Sequence, residues 1–242
     1  MPRFGGCSYD PRLEICQLMY TPRLNPPPCE YFVHAPHTMN LATGAGRGIV
    51  QNMILKHAQC VVHCGSNSSG DISGTIRSLT DLSIPRGHHI LIENAAGQKN
   101  QLGADWDQFR RIYESVPEVQ ICVDTQHTFS QGTYDLRSCR QVLRWFHYLR
   151  DEIGVLPHLI HLNDSKVEYG KHVDRHQVLG CGFIWSASNR SLRAILKIAD
   201  DENIPIISET GDAMSDLLFC DEAYSHHKWK YGRTPNIESI LV

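Results

Sequence analysis

The sequence predicts an α/β protein that folds as a (β/α)8 barrel, with residues 1–242 forming a single domain. Short apolar runs rich in β-branched residues recur along the chain and are too short for helices, as expected for buried strands. Amphipathic segments separate these runs, and this alternation is typical of a parallel sheet with helical crossovers. An open doubly wound sheet is the alternative, but no G-x-G-x-x-G motif follows a predicted strand.

The predicted strands begin with a weak candidate near the N-terminus. They cover residues 3–7, 15–20, 31–33, 60–62, 90–92, 119–123, 159–162 and 204–207. The clearest amphipathic helices between them are residues 47–58, 105–115, 136–152 and 190–202. Eight strands with helices between them are what a (β/α)8 barrel needs.

Three segments fit neither type of element. Residues 21–30 contain three consecutive prolines, which cannot continue a helix, so an extended loop is expected there. The glycine-rich residues 44–48 are a weak phosphate-loop candidate, and a flexible approach to a helix is the favoured interpretation. Residues 226–233 are basic and aromatic, and we interpret them as a solvated tail, with DNA contact as the less favoured alternative.

Composition and charge exclude several classes of protein. With 41% hydrophobic and 20% charged residues, the chain is neither disordered nor collagen-like. Its net charge of −3 means that any attraction to nucleic acid must come from a local patch or from bound cations. No apolar stretch approaches the roughly 20 residues that span a bilayer, and residues 1–12 lack a signal-peptide core. We therefore expect an intracellular protein that is not secreted, with nucleus, cytoplasm and virion all left open.

Histidine is more unusual in this sequence than cysteine. The nine cysteines form no C-x-x-C pair, which argues against a zinc finger or a disulfide framework, and we expect most to be buried thiols in a reducing compartment. The fourteen histidines include three in one short segment, where two aspartates also occur. These five residues are His161, Asp164, His172, Asp174 and His176.

A histidine, aspartate or glutamate stands at or near the C-terminal end of six predicted strands. These residues are His34, His63, Glu93, Asp124, His161 and Glu209, and His127 follows three residues after Asp124. In a barrel these strand ends converge on one face, where active sites are built. Asp174 and His176 are two residues apart, and in an extended loop that spacing turns both side chains to one side, where they can hold one ion.

Each of these residues, taken singly, is more often a hydrogen-bonded structural histidine or a helix cap than a metal ligand. Together they are five imidazoles and four carboxylates, and burying so many ionisable groups is very costly without cations. Nine ligands exceed the three or four that one zinc ion takes, so we predict two or three ions that share a bridging carboxylate. Mixed imidazole and carboxylate ligation without a thiolate favours zinc, and manganese or iron would also fit. A two-metal pair suits phosphoester hydrolysis.

Six segments of the chain carry motifs of a known family. They are VHAPHTMNLAT (33–43), VVHCGS (61–66), ILIENAAGQ (90–98), CVDTQHTFSQGTYDL (122–136), HLNDSKVEYGKHVDRHQVLGCGFI (161–184) and ISETGD (207–212). On these segments the sequence resembles the endonuclease IV family of apurinic/apyrimidinic (AP) endonucleases, from about residue 15 to residue 212. The resemblance implies a trinuclear zinc enzyme on a TIM barrel that cleaves double-stranded DNA 5′ to an abasic site in base excision repair. The implied products are a 3′-hydroxyl and a 5′-deoxyribose phosphate.

The resemblance also implies how the nine ligands are shared. One zinc ion would be held by His34, His63 and Glu93. Glu93 would bridge to a second ion, completed by Asp124, His161 and Glu209. The third ion would be held by His127, Asp174 and His176. The implied mechanism is attack on the phosphate by a hydroxide that zinc generates, with Glu93 or Glu209 orienting or deprotonating the nucleophile.

Four residues are expected to contact DNA, namely His37, Lys166, Lys171 and Arg175. The three basic residues lie in the ligand-bearing loop, and the alternative is that they are solvated loop charges. His37 stands where the family commonly has a tyrosine near the minor groove, and an imidazole can still stack beside a flipped nucleotide, though more weakly. Other departures from the family, all at positions that are not ligands, are Gln126 for cysteine, Cys64 for proline and Lys99 for glycine.

The largest departure is at the N-terminus, where the family's opening strand and helices are compressed into residues 1–30. We therefore expect a barrel that lacks one or two N-terminal outer helices. The uncovered strands would expose apolar surface, which another chain tends to cover. We predict a homodimer or a protein partner at this N-terminal face.

Two other functions stay open from the sequence. One is a two-metal sugar isomerase of the xylose-isomerase-like superfamily, and the other is a non-catalytic homologue that binds damaged DNA. The third ligand group separates the AP endonuclease from the isomerase, because the isomerase uses two metals. Glu209 argues against a pure binding protein, which would have no need for it.

Overall fold

Eight β-strands close into a barrel, which confirms the predicted fold class. The structure, a computed structural model, describes residues 4–10, 13–17, 31–185 and 189–231. The barrel strands are β1 (Phe4–Asp10), β2 (Leu13–Gln17), β3 (Tyr31–His34), β4 (Gln59–His63), β5 (His89–Glu93), β6 (Gln120–Asp124), β7 (Leu159–His161) and β10 (Ile206–Ser208). Two further short strands, β8 (Asp164–Ser165) and β9 (His176–Gln177), form a separate antiparallel ribbon.

Strand β2 runs antiparallel to both of its neighbours, β1 and β3, whereas the other barrel neighbours pair in parallel. The prediction of a wholly parallel sheet is therefore wrong at this strand. Only residues 11 and 12 separate β1 from β2, and a parallel connection needs about a dozen residues or more. The first connection thus has no outer helix, as predicted for the compressed N-terminus. The predicted extended loop at residues 21–30 lies outside the described residues.

Seven α-helices occur in the described residues. They are α1 (Arg47–Lys56), α2 (Ser73–Thr80), α3 (Trp106–Ser115), α4 (Thr125–Gln131), α5 (Cys139–Tyr148), α6 (Asn189–Asp201) and α7 (Ala213–Tyr231). The four predicted helices correspond to α1, α3, α5 and α6, whereas α2, α4 and α7 are absent from the prediction. Residues 44–48 form a turn into α1, with Gly46 at φ 94°, in agreement with the favoured interpretation of that segment. The predicted solvated tail begins inside α7, and residues 232–233 lie outside the described part of the chain.

Alternate residues of each strand face the inside of the barrel. One apolar layer fills the interior and consists of Phe32, Val61, Leu91, Cys122, Leu159 and Ile207. Their neighbours on the same strands, such as Val62, Ile92 and Val123, face outward and belong to the larger core between the sheet and the helices. We call the interior layer the apolar floor, because it lies directly beneath the inward-facing side chains at the C-terminal ends of the strands.

The thiols follow the expectation from composition. Six cysteines between residues 60 and 220 are free, and four of them, Cys60, Cys64, Cys122 and Cys220, are buried. Among the described helices, none combines the length and the apolarity that crossing a bilayer requires.

Candidate metal centre

Six of the predicted ligands form the layer directly above the apolar floor. They are His34, His63, Glu93, Asp124, His161 and Glu209, and each lies two residues after a residue of that floor. Because side chains alternate between the two faces of a strand, a step of two residues returns to the same face. The strands that carry these residues are parallel. All six side chains therefore meet at the C-terminal mouth of the barrel, as predicted.

Glu93 lies at the centre of this layer and is 1% exposed. Its Oε2 atom lies 2.9 Å from Nε2 of His34 and 3.3 Å from Nε2 of His63. Its Oε1 atom lies 2.7 Å from Nδ1 of His161, and that nitrogen is also 3.1 Å from Oε2 of Glu209. The two carboxylate oxygens of Glu93 thus face different imidazoles, which is the arrangement that a bridging carboxylate requires.

The three remaining predicted ligands come from α4 and from the segment that leads into β9. The Nε2 atom of His127, on α4, lies 3.3 Å from Oδ2 of Asp174. The Nε2 atom of His176, on β9, lies 3.4 Å from Oδ1 of Asp174 and 3.5 Å from Oδ2 of Asp124. This third group therefore adjoins the barrel layer through Asp124, and the structure brings all nine predicted ligands together.

Burial and neighbouring charges shift the pKa values of these groups in opposite directions. Burial by itself lowers the pKa of His34, but the hydrogen bond to Glu93 and the charges of Glu93 and Glu209 outweigh burial and raise this pKa to about 9. Burial lowers the pKa of His63 to about 3. Burial also raises the pKa of Asp124. Metal ions bind the neutral form of imidazole and the ionised form of a carboxyl group. A nearby cation would therefore stabilise His63 as it is, and would favour ionisation of Asp124 against the effect of burial.

Several buried imidazole nitrogens of this cluster have no hydrogen-bond partner among the described residues. They are Nδ1 of His63 and Nε2 of His161. The Nε2 atoms of His127 and His176 have only the carboxylate contacts of 3.3–3.5 Å given above, which lack hydrogen-bond geometry. A buried polar atom without a partner costs about 1–3 kcal/mol, so such atoms indicate a missing ligand when they cluster. The chemistry of the donor set, imidazole nitrogen and carboxylate oxygen, fits zinc, manganese or iron.

Donor atoms within 4.8 Å of one another form four sets. Two have the members of a predicted group, namely His34 with His63 and Glu93, and Glu93 with Asp124, His161 and Glu209. The third is Asp124 with His127 and His176, and the fourth joins Cys122 to Glu93 and His161. The third set differs from the predicted group only in containing Asp124 in place of Asp174. The residues present therefore fit three neighbouring metal ions.

Two buried asparagines, which the sequence prediction does not include, hold the ligands in place. The Nδ2 atom of Asn163 donates to Oδ2 of Asp124 at 2.5 Å and to Oε2 of Glu209 at 3.2 Å, while its Oδ1 accepts from the backbone N–H of Glu209 at 2.9 Å. Oδ1 of Asn94 accepts from the backbone N–H of Asp124 at 2.7 Å, and the carbonyl oxygen of Asn94 lies 2.8 Å from Nδ1 of His127. Each asparagine follows a predicted strand-end ligand within two residues, which is the signal that could have indicated them.

Asp164 belongs to the segment rich in metal-binding residue types, yet its carboxylate binds backbone rather than lying among the nine ligands. Its Oδ1 accepts from the N–H groups of Ser165 at 2.7 Å and Ile184 at 2.8 Å, and its Oδ2 accepts from those of Gly180 at 3.0 Å and Gly182 at 3.1 Å. Asp164 therefore ties the loop after β9 to β8.

Cys122 of the apolar floor is a neighbour of the centre that the sequence does not indicate. Its Sγ lies within 4.8 Å of donor atoms of Glu93 and His161. Burial raises the pKa of this thiol to about 12, so it is neutral at physiological pH.

Comparison with known proteins agrees with this geometry. Residues 58–212 match a family model described as a xylose isomerase-like TIM barrel. A protein of Nitrosopumilus maritimus (strain SCM1) named probable endonuclease 4 is 34% identical over 197 residues, which cover 73% of this chain and 69% of that protein. The chain belongs to the endonuclease 4 family.

Two further comparisons extend this assignment. An apurinic-apyrimidinic endonuclease 1 of Plasmodium falciparum (isolate 3D7) is 33% identical over 166 residues, which cover 65% of this chain and 26% of that longer protein. The crystal structure of endonuclease IV from Thermus thermophilus superposes with a TM-score of 0.66 at 23% identity, covering 81% of this chain and 76% of that one. This second likeness shows that the two proteins share a fold.

The mouth of this endonuclease 4 family barrel forms a pocket of about 390 Å³. Three of the four predicted DNA contacts, His37, Lys166 and Arg175, line it together with the ligands. The ring of His37 is exposed and stacks on that of His63, with centroids 5.4 Å apart. Lys171 is not among the lining residues, and its Nζ lies 3.2 Å from the carboxylate of an exposed glutamate.

Lys99, one of the expected departures from the family, adopts a backbone conformation that favours glycine. Its φ is 53°, in the left-handed region that glycine adopts without strain. An L-residue in this conformation costs about 1–2 kcal/mol, so lysine is less favourable here than glycine would be.

Proposed function

We propose that this protein is a zinc-dependent AP endonuclease that hydrolyses the DNA phosphodiester 5′ to an abasic site and leaves a 3′-hydroxyl and a 5′-deoxyribose phosphate. The observation that carries the proposal is the convergence of three groups of metal-binding side chains at one pocket of the barrel. The names of the relatives, probable endonuclease 4 and apurinic-apyrimidinic endonuclease 1, support it. Each donor group would hold one zinc ion, and manganese or iron is the alternative at one of them.

The two predicted catalytic carboxylates have different surroundings, and we assign them different roles. When bound, the ions would lower the pKa of water and neutralise charge on the phosphate and on the leaving oxygen. Both oxygens of Glu93 already face imidazoles, so Glu93 serves as the bridging ligand. The side chain of Glu209 is 11% exposed and lines the pocket. Burial raises the pKa of Glu209, but the charge of His161 outweighs burial and lowers it to about 2, so its carboxylate is ionised and can orient the attacking water.

Recognition of DNA would rest on the rim of the pocket. Lys166 and Arg175 line the same pocket as the donor groups, and their positive charges favour phosphate groups on either side of the lesion. The exposed ring of His37, which stacks on that of His63, lines the pocket and would contact the abasic sugar or a neighbouring base. Together with bound cations, this local charge explains how a chain of net charge −3 can engage a polyanion.

The test is incision of a duplex oligonucleotide that contains one abasic site by the zinc-loaded protein. We expect cleavage on the 5′ side and a 3′ end that a DNA polymerase extends, whereas the same duplex without the lesion stays intact. Glu209→Gln should lower the incision rate by about 100-fold or more, because it removes both the carboxylate that orients the water and one ligand of the second group. DNA affinity should be largely kept, since Lys166, Arg175 and the other donor groups stay in place. The exposed Glu202→Gln is the matched control and should cut normally. No incision by a protein with three verified ions per chain would contradict the proposal.

The same measurements separate the alternatives. A sugar isomerase would saturate at two ions per chain and ignore DNA, and the third donor group on α4 and β9 argues against that outcome. A non-catalytic binder of damaged DNA would show no incision and would be indifferent to Glu209→Gln.

We also propose that the N-terminal face forms a homodimer or binds a protein partner. The hairpin of β1 and β2 has no helix in its connection. Two exposed apolar side chains on α7, which packs against β1, support the proposal, namely Met214 and Leu218. Sedimentation that gives a strict monomer at high concentration would rule out the homodimer.

A further inference from the structure

The third donor group differs from the other two in how it is held. Barrel strands fix the positions of the six residues above the apolar floor. His127 lies on α4, whereas Asp174 lies between β8 and β9 and His176 begins β9. Something other than the barrel ladder must therefore keep Asp174 facing His127. The inference that follows rests on the proposed function, because it assigns a role toward the third metal ion.

Two buried polar side chains of α4 grip the segment one residue before Asp174. The hydroxyl of Ser130 donates to the carbonyl oxygen of Val173 at 2.8 Å and accepts from the N–H of Val173, also at 2.8 Å. The Nε2 atom of Gln126 donates to the same carbonyl oxygen at 2.9 Å and lies 3.3 Å from the hydroxyl of Ser165 on β8. Gln126 and Ser130 are both 0% exposed. We refer to these two residues as the α4 clamp.

The backbone next to the clamp adopts an unfavourable conformation that the clamp side of α4 helps to fix. His172 has a φ of 55°, which an L-residue rarely adopts. Its N–H donates to the carbonyl oxygen of Ser130 at 2.9 Å. Such conformations persist where surrounding contacts determine them, and they concentrate at functional sites. The bend at His172 and the two hydrogen bonds between Ser130 and Val173 together determine the direction in which Asp174 leaves the turn.

The amide of Gln126 supplies two N–H donors, and it reaches both Val173 and Ser165. We propose that Gln126 and Ser130 are positioning residues of the third metal site, which hold Asp174 toward His127 and His176 before any ion binds. Hydrogen bonds to the backbone of Val173 therefore preorganise the site, so that the ion does not have to order it alone.

The test counts bound ions rather than incision. Gln126→Met keeps the side-chain volume and removes both donors, and Ser130→Ala removes the hydroxyl. Each zinc-loaded protein is equilibrated with graded chelator, and ions per chain are measured by plasma mass spectrometry. We expect the parent to retain three ions and each clamp variant to release one of them at roughly 10- to 100-fold lower chelator strength, with the other two unchanged. Asp174→Asn, which removes the ligand itself, should release the same single ion.

Ser78→Ala is the matched control, because the buried hydroxyl of Ser78 also donates to a backbone carbonyl, that of Leu41, at 2.7 Å, away from the donor groups. It should retain three ions as the parent does. The proposal would be overturned if the clamp variants keep all three ions as tightly as Ser78→Ala, or if they lose all three together. A parent protein that holds fewer than three ions would also overturn it. If Ser130→Ala does not fold, Gln126→Met decides the question. Ion counts do not depend on cleavage, so a protein that fails to cut DNA leaves this test intact.

Discussion

Replacing Asp164 with asparagine should destabilise the protein more than any ordinary loop substitution. Four backbone N–H groups donate to its carboxylate, two to each oxygen, at 2.7–3.1 Å. Asparagine has one carbonyl oxygen, so the two N–H groups that face the new amide nitrogen lose their acceptor. A hydrogen bond to a charged group contributes about 1.5–3 kcal/mol, and the two lost bonds therefore amount to about 3–6 kcal/mol. Burial raises the pKa of Asp164, so relief from burying its charge offsets part of this loss and leaves about 2–4 kcal/mol.

The assay is urea unfolding of the metal-free protein followed by circular dichroism, so that ion binding does not mask the change. Asp71→Asn is the control, because Asp71 is exposed and its Oδ1 accepts from Ser73 alone, at 2.8 and 3.0 Å. It should leave the midpoint unchanged. A loss of less than about 1 kcal/mol in Asp164→Asn would refute the reasoning, since it would mean that these four bonds contribute little net free energy.

Three other changes test separate parts of the structure. Asn163→Leu removes the hydrogen bonds from the amide to Asp124 and Glu209 and should lower metal affinity by about 10- to 100-fold, measured as ion retention against a chelator. Unchanged retention would show that the ligands keep their positions without Asn163. Lys99→Gly should raise the free energy of unfolding by about 0.5–1 kcal/mol in urea titrations, because glycine removes left-handed strain but costs backbone entropy, and a decrease would contradict this. Burial lowers the pKa of His158 from 6.5, so the unfolded chain binds more protons as pH falls below that value and stability declines with acid. His158→Gln should flatten the decline in unfolding free energy from about pH 7 to about pH 5, and a profile as steep as the parent's would exclude His158 as its source.

The donor layer could be predicted from the sequence because one periodicity fixes both the fold and the site. Val61 and Leu91 mark buried strands by their apolar neighbours, and His63 and Glu93 lie two residues further along. The residue that identifies the strand thus also determines which way the donor faces. Parallel strand direction then places all such donors at one mouth, without any need for tertiary detail.

The short helices α2 and α4 were not predicted, because distant contacts contribute strongly to fixing them. In α2, the hydroxyl of Ser78 donates to the carbonyl of Leu41. Gly74 approaches the chain so closely that a Cβ there would lie 1.9 Å from the carbonyl oxygen of Ala42. Neither contact leaves a periodic signal in the sequence, and the same holds for α4, whose side chains are polar but buried.

Asp124 illustrates a limit of assigning one role to each residue. From the sequence, a helix cap and a metal ligand are alternative explanations of an aspartate at a strand end. In the structure its Oδ1 caps α4 by accepting from the N–H of His127 at 2.7 Å, while its Oδ2 faces His176 at 3.5 Å.

The direction of β2 could not be predicted for a different reason. The apolar run indicates a buried strand but contains no information on whether it runs parallel or antiparallel to its neighbours, and the short connection decides this.

The pairing of β1 with β10 has a consequence for the order in which the protein matures. On the ribosome, the first strand emerges long before the last one and must wait for it with an open edge. Glu209, which directly follows β10, joins the other donors only when that seam is sealed. A nascent chain is therefore unable to assemble its full set of ligands until residue 209 has been synthesised and β10 has paired with β1, so the complete set of donors forms together with closure of the barrel.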